Sequence, residues 1–263
     1  MTDLPVPRNR LHDRLAEGAA VVGTMLVEIR QPGVMTLLAN AGFDFVLIDT
    51  EHGPFGIESI AELSRAALGA GLTPIVRVPE LTYAQVTRPL DAGAQGIMLP
   101  RVTRREQVEE CLRHMKYAPA GRRGAVLARG HTGFRAGPLA EVLAAMNRET
   151  FLIVQIETRE AVERVEEIVA VPGVDAALVG PTDLSVALGV PGRMEDPVLV
   201  AAIEKTMAAC RSRGVVPAIH TNDVAMTASW ARRGMRLVSI NSEAGLLMAG
   251  ARQAVEAIRA SSE

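Results

Sequence analysis

Residues 45–54 read FVLIDTEHGP: an apolar run, Phe45 to Ile48, is followed at once by Asp49, Glu51 and His52 and then by a Gly53-Pro54 turn. Two carboxylates and an imidazole within four residues are equipment for proton transfer near neutral pH. The same pattern, an apolar run ending in a polar side chain, recurs along the chain. Arg77 closes PIVR, Arg101 closes GIMLPR, and Gln155 and Glu157 close FLIVQIE. Asp183 follows AALVGPT, His220 ends VVPAIH, and Asn241 and Glu243 follow LVSI. Glu157 and Asp183 are hard oxygen donors, suited with waters and substrate oxygens to Mg²⁺, Mn²⁺ or Co²⁺ rather than to a structural zinc. Facing each other without a cation, they would repel and one pKa would rise. A fixed guanidinium such as Arg77 can stabilise a developing oxyanion.

Each residue also has a purely structural reading. His52 alone could be a loop or capping histidine, and its clustering with Asp49 and Glu51 argues against that. Arg77 could pair with a carboxylate for structure alone, and Thr182 or Asp183 could cap a helix. Gln155 and Glu157 share a face of an apolar strand, where unpartnered polar groups are costly, so they demand partners. His12, His114 and Tyr83 read as surface helix residues, and His131 stays open.

What positions these residues is a repeating element. Short β-branched apolar runs occur at 20–26, 45–50, 73–78, 96–101, 151–157, 176–181, 215–220 and 237–241. Helix-period segments such as GIESIAELSRAALGAG (56–71) and DPVLVAAIEKTMAACRSRG (196–214) separate them, each ending in a C-cap glycine. Continuous apolar runs imply strands covered on both faces. Eight of them alternating with helices predict one α/β domain over 1–263, a (β/α)8 TIM barrel. An open doubly wound sheet is the runner-up, but no G-x-G-x-x-G follows the first strand. In a barrel the strand-end residues converge on one mouth. The segment 117–139, rich in Gly, Arg and Ala, is a long connection of the kind that is functional or mobile.

Composition excludes other classes. With 48% apolar residues in 263, a sizeable core is available. A net charge of −2 leaves no basic surface for nucleic acid and no polybasic membrane patch. The start MTDLPVPRNR lacks a secretory apolar core, and no apolar run approaches the roughly 20 residues of a membrane span. Cys111 and Cys210 read as buried hydrophobes, which fits a reducing cytoplasm. The two lysines, Lys116 and Lys205, lie in helical segments, so no strand end offers a Schiff-base nucleophile. The loops HTNDVA and NSEAGL after strands seven and eight carry no Gly-rich phosphate cradle.

The ordered set AGFDFVLIDTEHGP, PIVRVP, GIMLPRV, YAPAGRRG, VQIET and GPTDLS resembles the HpcH/HpaI aldolases over residues 18–255. These are class II, metal-dependent pyruvate aldolases, including 4-hydroxy-2-oxoheptane-1,7-dioate aldolase and 2-dehydro-3-deoxyglucarate aldolase. The resemblance implies a barrel whose last helix is exchanged between subunits of a homo-oligomer, usually a hexamer. It implies Glu157 and Asp183 as metal ligands, Gln155 with Gly180, Thr182 and Asp183 around the pyruvyl group, Arg77 on the enolate and His52 as base. It pairs that base with Asp91 in PLDAGAQGI. Barrel wiring, however, puts Asp91 ahead of strand four at the opposite end, and Asp49 is the local rival for orienting the imidazole. Met25, the GPTDLS form, NSEAG, His220 with Thr221, and the loop Arg129–Phe134 depart from the family pattern around the aldehyde half.

The implied reaction is reversible, metal-dependent aldol cleavage of a 4-hydroxy-2-oxo acid to pyruvate and an aldehyde. Oxaloacetate decarboxylation would share the enolate but need no base at C4. A citrate-lyase-like acyl-CoA lyase would need a basic groove, for which Arg122, Arg123 and Arg129 are candidates. From another class, a non-catalytic 2-oxo-acid-binding barrel would have no use for a base.

Overall fold

A computed structural model describes residues 4–261. Eight parallel strands close in sequence order into a barrel, the last pairing with the first. They are β1 (Val21–Leu26), β2 (Phe45–Asp49), β3 (Thr73–Arg77), β4 (Gly96–Leu99), β5 (Phe151–Ile156), β6 (Ala176–Val179), β7 (Val216–Thr221) and β8 (Leu237–Ser242). Each lies within a residue or two of its expected run. Helices intervene, and the expected left-handed glycine C-caps are present at Gly71 (φ 85°) and Gly214 (φ 69°).

The apolar runs divide by strand parity, as the period of two requires. One set, including Val46, Ile48, Val76, Ile97, Val154 and Ile219, faces the surrounding helices. The other, including Phe45, Leu47, Ile75, Met98, Ile153, Leu178 and Ala218, fills the barrel. Leu11 and Leu15 of the first helix, Arg10–Ala16, join this inner set and close the floor. Asn9 caps that helix through Leu11 N and donates to Glu149 O, so the plug is tied to the barrel wall. Continuing the inner parity upward gives Asp49 above Leu47, Arg77 above Ile75, Gln155 above Ile153 and His220 above Ala218. The alternation that fills the floor with hydrocarbon thus delivers polar groups to the mouth.

One expectation is corrected. His114 is only 9% exposed, packed by Tyr83 edge-on with ring centroids 5.4 Å apart and facing Glu110 at 3.2 Å. The connection 117–139 is irregular apart from the 3₁₀ turn Gly130–Thr132, yet His131 and Thr132 within it are buried. Both cysteines are free and buried, and burial pushes their thiols up to about 12, which makes them inert. Among the described residues no helix is long and apolar enough to cross a membrane.

Candidate active site

The centre of the mouth is a buried ion-pair network on β2 and β3. Their register sets Asp49 beside Arg77. Arg77 donates from Nε and Nη2 to Asp49 at 2.8 and 2.6 Å, a bidentate pair. Its Nη1 lies 3.3 Å from Glu51 Oε2. Burial works against the Arg77 charge, but the hydrogen bonds and charge of Asp49, with Glu51 and Glu157 behind, raise it above the ordinary guanidinium value. Asp49 also accepts the backbone N–H of Glu51 at 3.0 Å and of His52 at 3.4 Å, shaping the turn that lifts both side chains to the rim.

Glu51, which the sequence grouped with Asp49 and His52 without naming its partners, is a hub. Its carboxylate meets Arg77, Arg101 Nε at 3.0 Å and His52 Nε2 at 3.9 Å. His52 itself is exposed, 64% by side chain, free to meet a substrate. Asp49 therefore orients Arg77 and the backbone of His52, not the imidazole.

On β5, Glu157 is 6% exposed and Gln155 3%. Gln155 Nε2 donates to Glu157 Oε2 in a very short contact, while Gln155 Oε1 is buried without a partner among the described residues. Glu157 Oε1 accepts the backbone N–H of Arg101 at 2.8 Å. To present that N–H, Arg101 takes φ 53°, a left-handed conformation costing a non-glycine residue roughly 1–2 kcal/mol. Burial, with Glu51 and Asp183 nearby, pushes the Glu157 carboxyl up to about 7 against the effect of that hydrogen bond. Asp183 stands in the first turn of the helix Pro181–Ala187, which begins where β6 ends. Gly180 keeps the floor open: a Cβ there would sit 3.1 Å from Gln155 Nε2 and 3.4 Å from Glu157 Oε2.

Glu51, His52, Arg101, Glu157, Thr158, Asp183, Val186 and Ala187 line one cleft of about 350 Å³. A larger groove of about 480 Å³ lies outside the barrel, around Trp230 and Met226, and lacks this concentration of charge. His220 faces the barrel axis beside the network, its Nδ1 2.9 Å from Ser239 Oγ. Burial, then the Arg77 charge, lowers it to about 4. Glu243, 4% exposed, accepts the backbone N–H groups of Val27, Glu28 and Ile29 at 2.9, 2.7 and 2.8 Å and so pins the loop after β1 over the mouth.

Asp91 is not in this constellation. It lies on the helix Tyr83–Ala92 ahead of β4, where its carboxylate accepts from Arg123 Nη2 at 2.6 Å and its carbonyl faces His131 Nδ1 at 3.2 Å. Wiring decides this: a residue before a strand belongs to the other end of the barrel from His52, which follows one. Arg123 is consequently buried, with no side-chain exposure, and stacks 4.6 Å over Tyr117, while Arg122 pairs with Glu110. That arrangement removes Arg123 from a coenzyme A groove, while Arg122 stays exposed beside Glu110.

The residues fit a divalent cation. Asp49, Glu51, Glu157 and Asp183 set four carboxylates against the guanidiniums of Arg77 and Arg101, leaving a formal charge of −2 at one mouth. No group of three or more His, Cys, Asp and Glu side chains among the described residues is arranged to hold a metal by itself. Two carboxylates would need ligand oxygens from substrate and water, which suits a catalytic rather than a structural ion.

The relatives place this parallel barrel, with carboxylates, an imidazole and a fixed guanidinium at its C-terminal mouth, among the carbon–carbon lyases of the aldolase type. Residues 24–249 match the family model for HpcH/HpaI aldolase/citrate lyase, and the chain belongs to that family. It is 34% identical over 246 residues to a hydroxypyruvate/pyruvate aldolase from Roseobacter denitrificans, covering 93% of this chain and 95% of that one. It is 32% identical to a 4-hydroxy-2-oxo-heptane-1,7-dioate aldolase from Salmonella typhimurium, with 93% and 92% covered. The crystal structure of an HpcH/HpaI aldolase from Desulfitobacterium hafniense superposes with a TM-score of 0.91 at 36% identity, over 95% of this chain and 96% of that one.

Proposed function

We propose that this mouth catalyses reversible aldol cleavage of a 4-hydroxy-2-oxo acid to pyruvate and an aldehyde, with Mg²⁺, Mn²⁺ or Co²⁺ held by Glu157 and Asp183. The observation that carries the reading is the convergence of four carboxylates on two guanidiniums at one mouth, where burial first, and then Glu51 and Asp183, raise the Glu157 carboxyl to about 7. A bound divalent cation would act as a Lewis acid toward the keto and carboxylate oxygens of the 2-oxo acid. Gln155 and the backbone at Gly180 and Thr182-Asp183 would cradle the pyruvyl group, where the absent Cβ leaves room. Arg77, locked by Asp49 and Glu51, holds fixed positive charge where the enolate oxygen becomes anionic, without reorganising during reaction. His52, exposed at the rim, takes the proton from the C4 hydroxyl as the C3–C4 bond breaks and returns it in synthesis. Glu51 Oε2, 3.9 Å from His52 Nε2, would hold the imidazole on the same carboxylate that meets Arg77. Asp91 belongs to this machinery only if a second subunit brings it to His52. A homo-oligomer, a hexamer on the family resemblance, is supported by the exposed Leu247 (64%), Met248 (59%) and Val255 (45%) of the last helix, Glu243–Ala260. Buried free thiols support a cytoplasmic setting.

The test is exchange of the pyruvate methyl protons with solvent, followed by NMR before and after chelation. Chelation is expected to abolish exchange, and Mg²⁺, Mn²⁺ or Co²⁺ to restore it. Full exchange in protein shown to be metal-free by elemental analysis would overturn the metal assignment. No exchange in metal-loaded protein would leave a binding barrel instead.

A further inference from the structure

We propose that His220 is a further substrate-binding residue, a neutral imidazole whose Nε2–H donates to an oxygen of the bound 2-oxo acid. This deepens the aldol reading above and rests on it. The strand registers place His220 in one layer with two residues already given to the site. Arg77 pairs with Met98 and Met98 with Ile153, two residues below Gln155. Gln155 pairs with Leu178 and Leu178 with Ala218, two residues below His220. His220 pairs with Ser239 and Ser239 with Gly23, two residues below Met25. Met25 pairs with Leu47 and Leu47 with Ile75, two residues below Arg77. The same climb at every step is the tilt of a closed barrel, in which alternate strands build one layer. Met25, Arg77, Gln155 and His220 therefore form the layer on which the mouth stands.

The strand between makes the place specific. β6 lies between β5 and β7, and one residue past its paired Val179 and Ile219 stand Gly180 and His220. Gly180 carries no side chain, so it opens a notch with Gln155 on one side and His220 on the other. The pyruvyl group cradled there has His220 as its second wall. His220 departs from the family pattern, and this position puts the imidazole at the pyruvyl end, not in the aldehyde half. The ring is set up to donate. Ser239 is fully buried, and the hydrogen of a buried hydroxyl needs an acceptor. His220 Nδ1, 2.9 Å from Ser239 Oγ, supplies one, which leaves the ring proton on Nε2. Burial first, and then the Arg77 charge, against the opposing pull of Asp49, keep the imidazole neutral down to about 4. A neutral donor adds a hydrogen bond to an anionic 2-oxo acid without adding another cation beside the metal.

The experiment follows pyruvate methyl exchange by NMR over a range of pyruvate concentrations, in the metal-saturated full-length protein. His220→Leu removes the donor, His220→Gln keeps an N–H, and Ser239→Ala leaves the imidazole in place without fixing its tautomer. His220→Leu is expected to raise the KM for pyruvate about 10-fold, the scale of one hydrogen bond to a charged group, and to change the maximal exchange rate by less than about 3-fold. His220→Gln should recover most of that KM, and Ser239→Ala should fall between. The ratio of His220→Leu to native KM should be the same at about pH 6 and about pH 8, because the imidazole is neutral at both. Metal affinity, measured by calorimetry, should not change. If His220→Leu fails to fold, Ser239→Ala and His220→Gln still decide the question through their KM values. A pyruvate KM unmoved in all three variants, a loss confined to the aldehyde KM, no recovery in His220→Gln, or a ratio that grows toward acid pH would each overturn the assignment. No exchange in the native protein defeats the aldol reading itself, whereas exchange with an unmoved pyruvate KM defeats only the role of His220.

Discussion

Arg77 and His52 face one mouth but serve different steps, and their replacements should separate those steps. Arg77 is buried and satisfies two carboxylates, at 2.6 Å to Asp49 and 3.3 Å to Glu51. Arg77→Ala would strand both charges at a cost of about 3–5 kcal/mol in stability. Arg77→Lys is therefore the better perturbation, since an ammonium keeps the charge and loses the bidentate geometry. Losing one preorganised oxyanion donor costs about 10²- to 10³-fold in kcat. That loss should fall alike on aldol cleavage, oxaloacetate decarboxylation and pyruvate exchange, because each passes through the enolate. His52 is 64% exposed, and its ionic neighbour Glu51 lies at 3.9 Å, so His52→Ala should change stability by no more than about 0.5 kcal/mol. Any lost rate then reports chemistry: about 10²- to 10⁴-fold in aldol cleavage for a missing general base. Oxaloacetate has no C4 hydroxyl, so its decarboxylation should largely survive. The assay is steady-state kinetics of both variants on both substrates, with metal saturation and thermal unfolding checked in parallel. If His52→Ala loses both activities equally while melting like the native protein, the imidazole serves enolate formation and the division of labour is wrong.

Borohydride added with pyruvate should leave the protein mass unchanged, since Lys116 Nζ is committed to Asn147 O (2.7 Å) and Thr150 Oγ1 (2.6 Å) and Lys205 Nζ reaches Glu163 O (3.4 Å) on the outside. A reduced pyruvyl adduct on either lysine, seen by peptide mass mapping, would defeat the non-covalent mechanism. Glu243→Ala releases three N–H groups of the β1 loop, and should lower stability by about 3 kcal/mol and raise KM for the aldehyde more than for pyruvate; equal KM changes would show that the loop does not shape the acceptor side. His220, neutral in the fold down to about pH 4 beside Arg77 and Asp49, is protonated in the unfolded chain below about 6.5. The unfolded state then holds the extra proton between those values, so stability should fall as pH drops from about 6.5 to 4, by on the order of 2 kcal/mol after allowing for solvent screening. His220→Asn should flatten that slope in denaturant titrations, and an unchanged slope would assign the acid sensitivity elsewhere.

The barrel was legible in the sequence because doubly covered strands must be apolar on both faces, and eight such runs alternate with helical periods. The strand ends were legible too: Glu51, His52, Arg77, Arg101, Gln155, Glu157, His220 and Glu243 each interrupt or follow an apolar run. Partner choice was not. Asp49 belongs to Arg77 because β2–β3 register sets them side by side, and register is a property of two strands that neither encodes alone. Asp91 goes to Arg123 because the 117–139 connection folds back under the barrel, a path that composition does not specify. Arg101 and Glu243 acquire their roles from backbone geometry, a left-handed turn in one case and three converging N–H groups in the other. Side-chain types and their period along the chain therefore determined which residues reach the mouth; only closure of the sheet, by fixing distances between residues far apart in sequence, decided which of them touch.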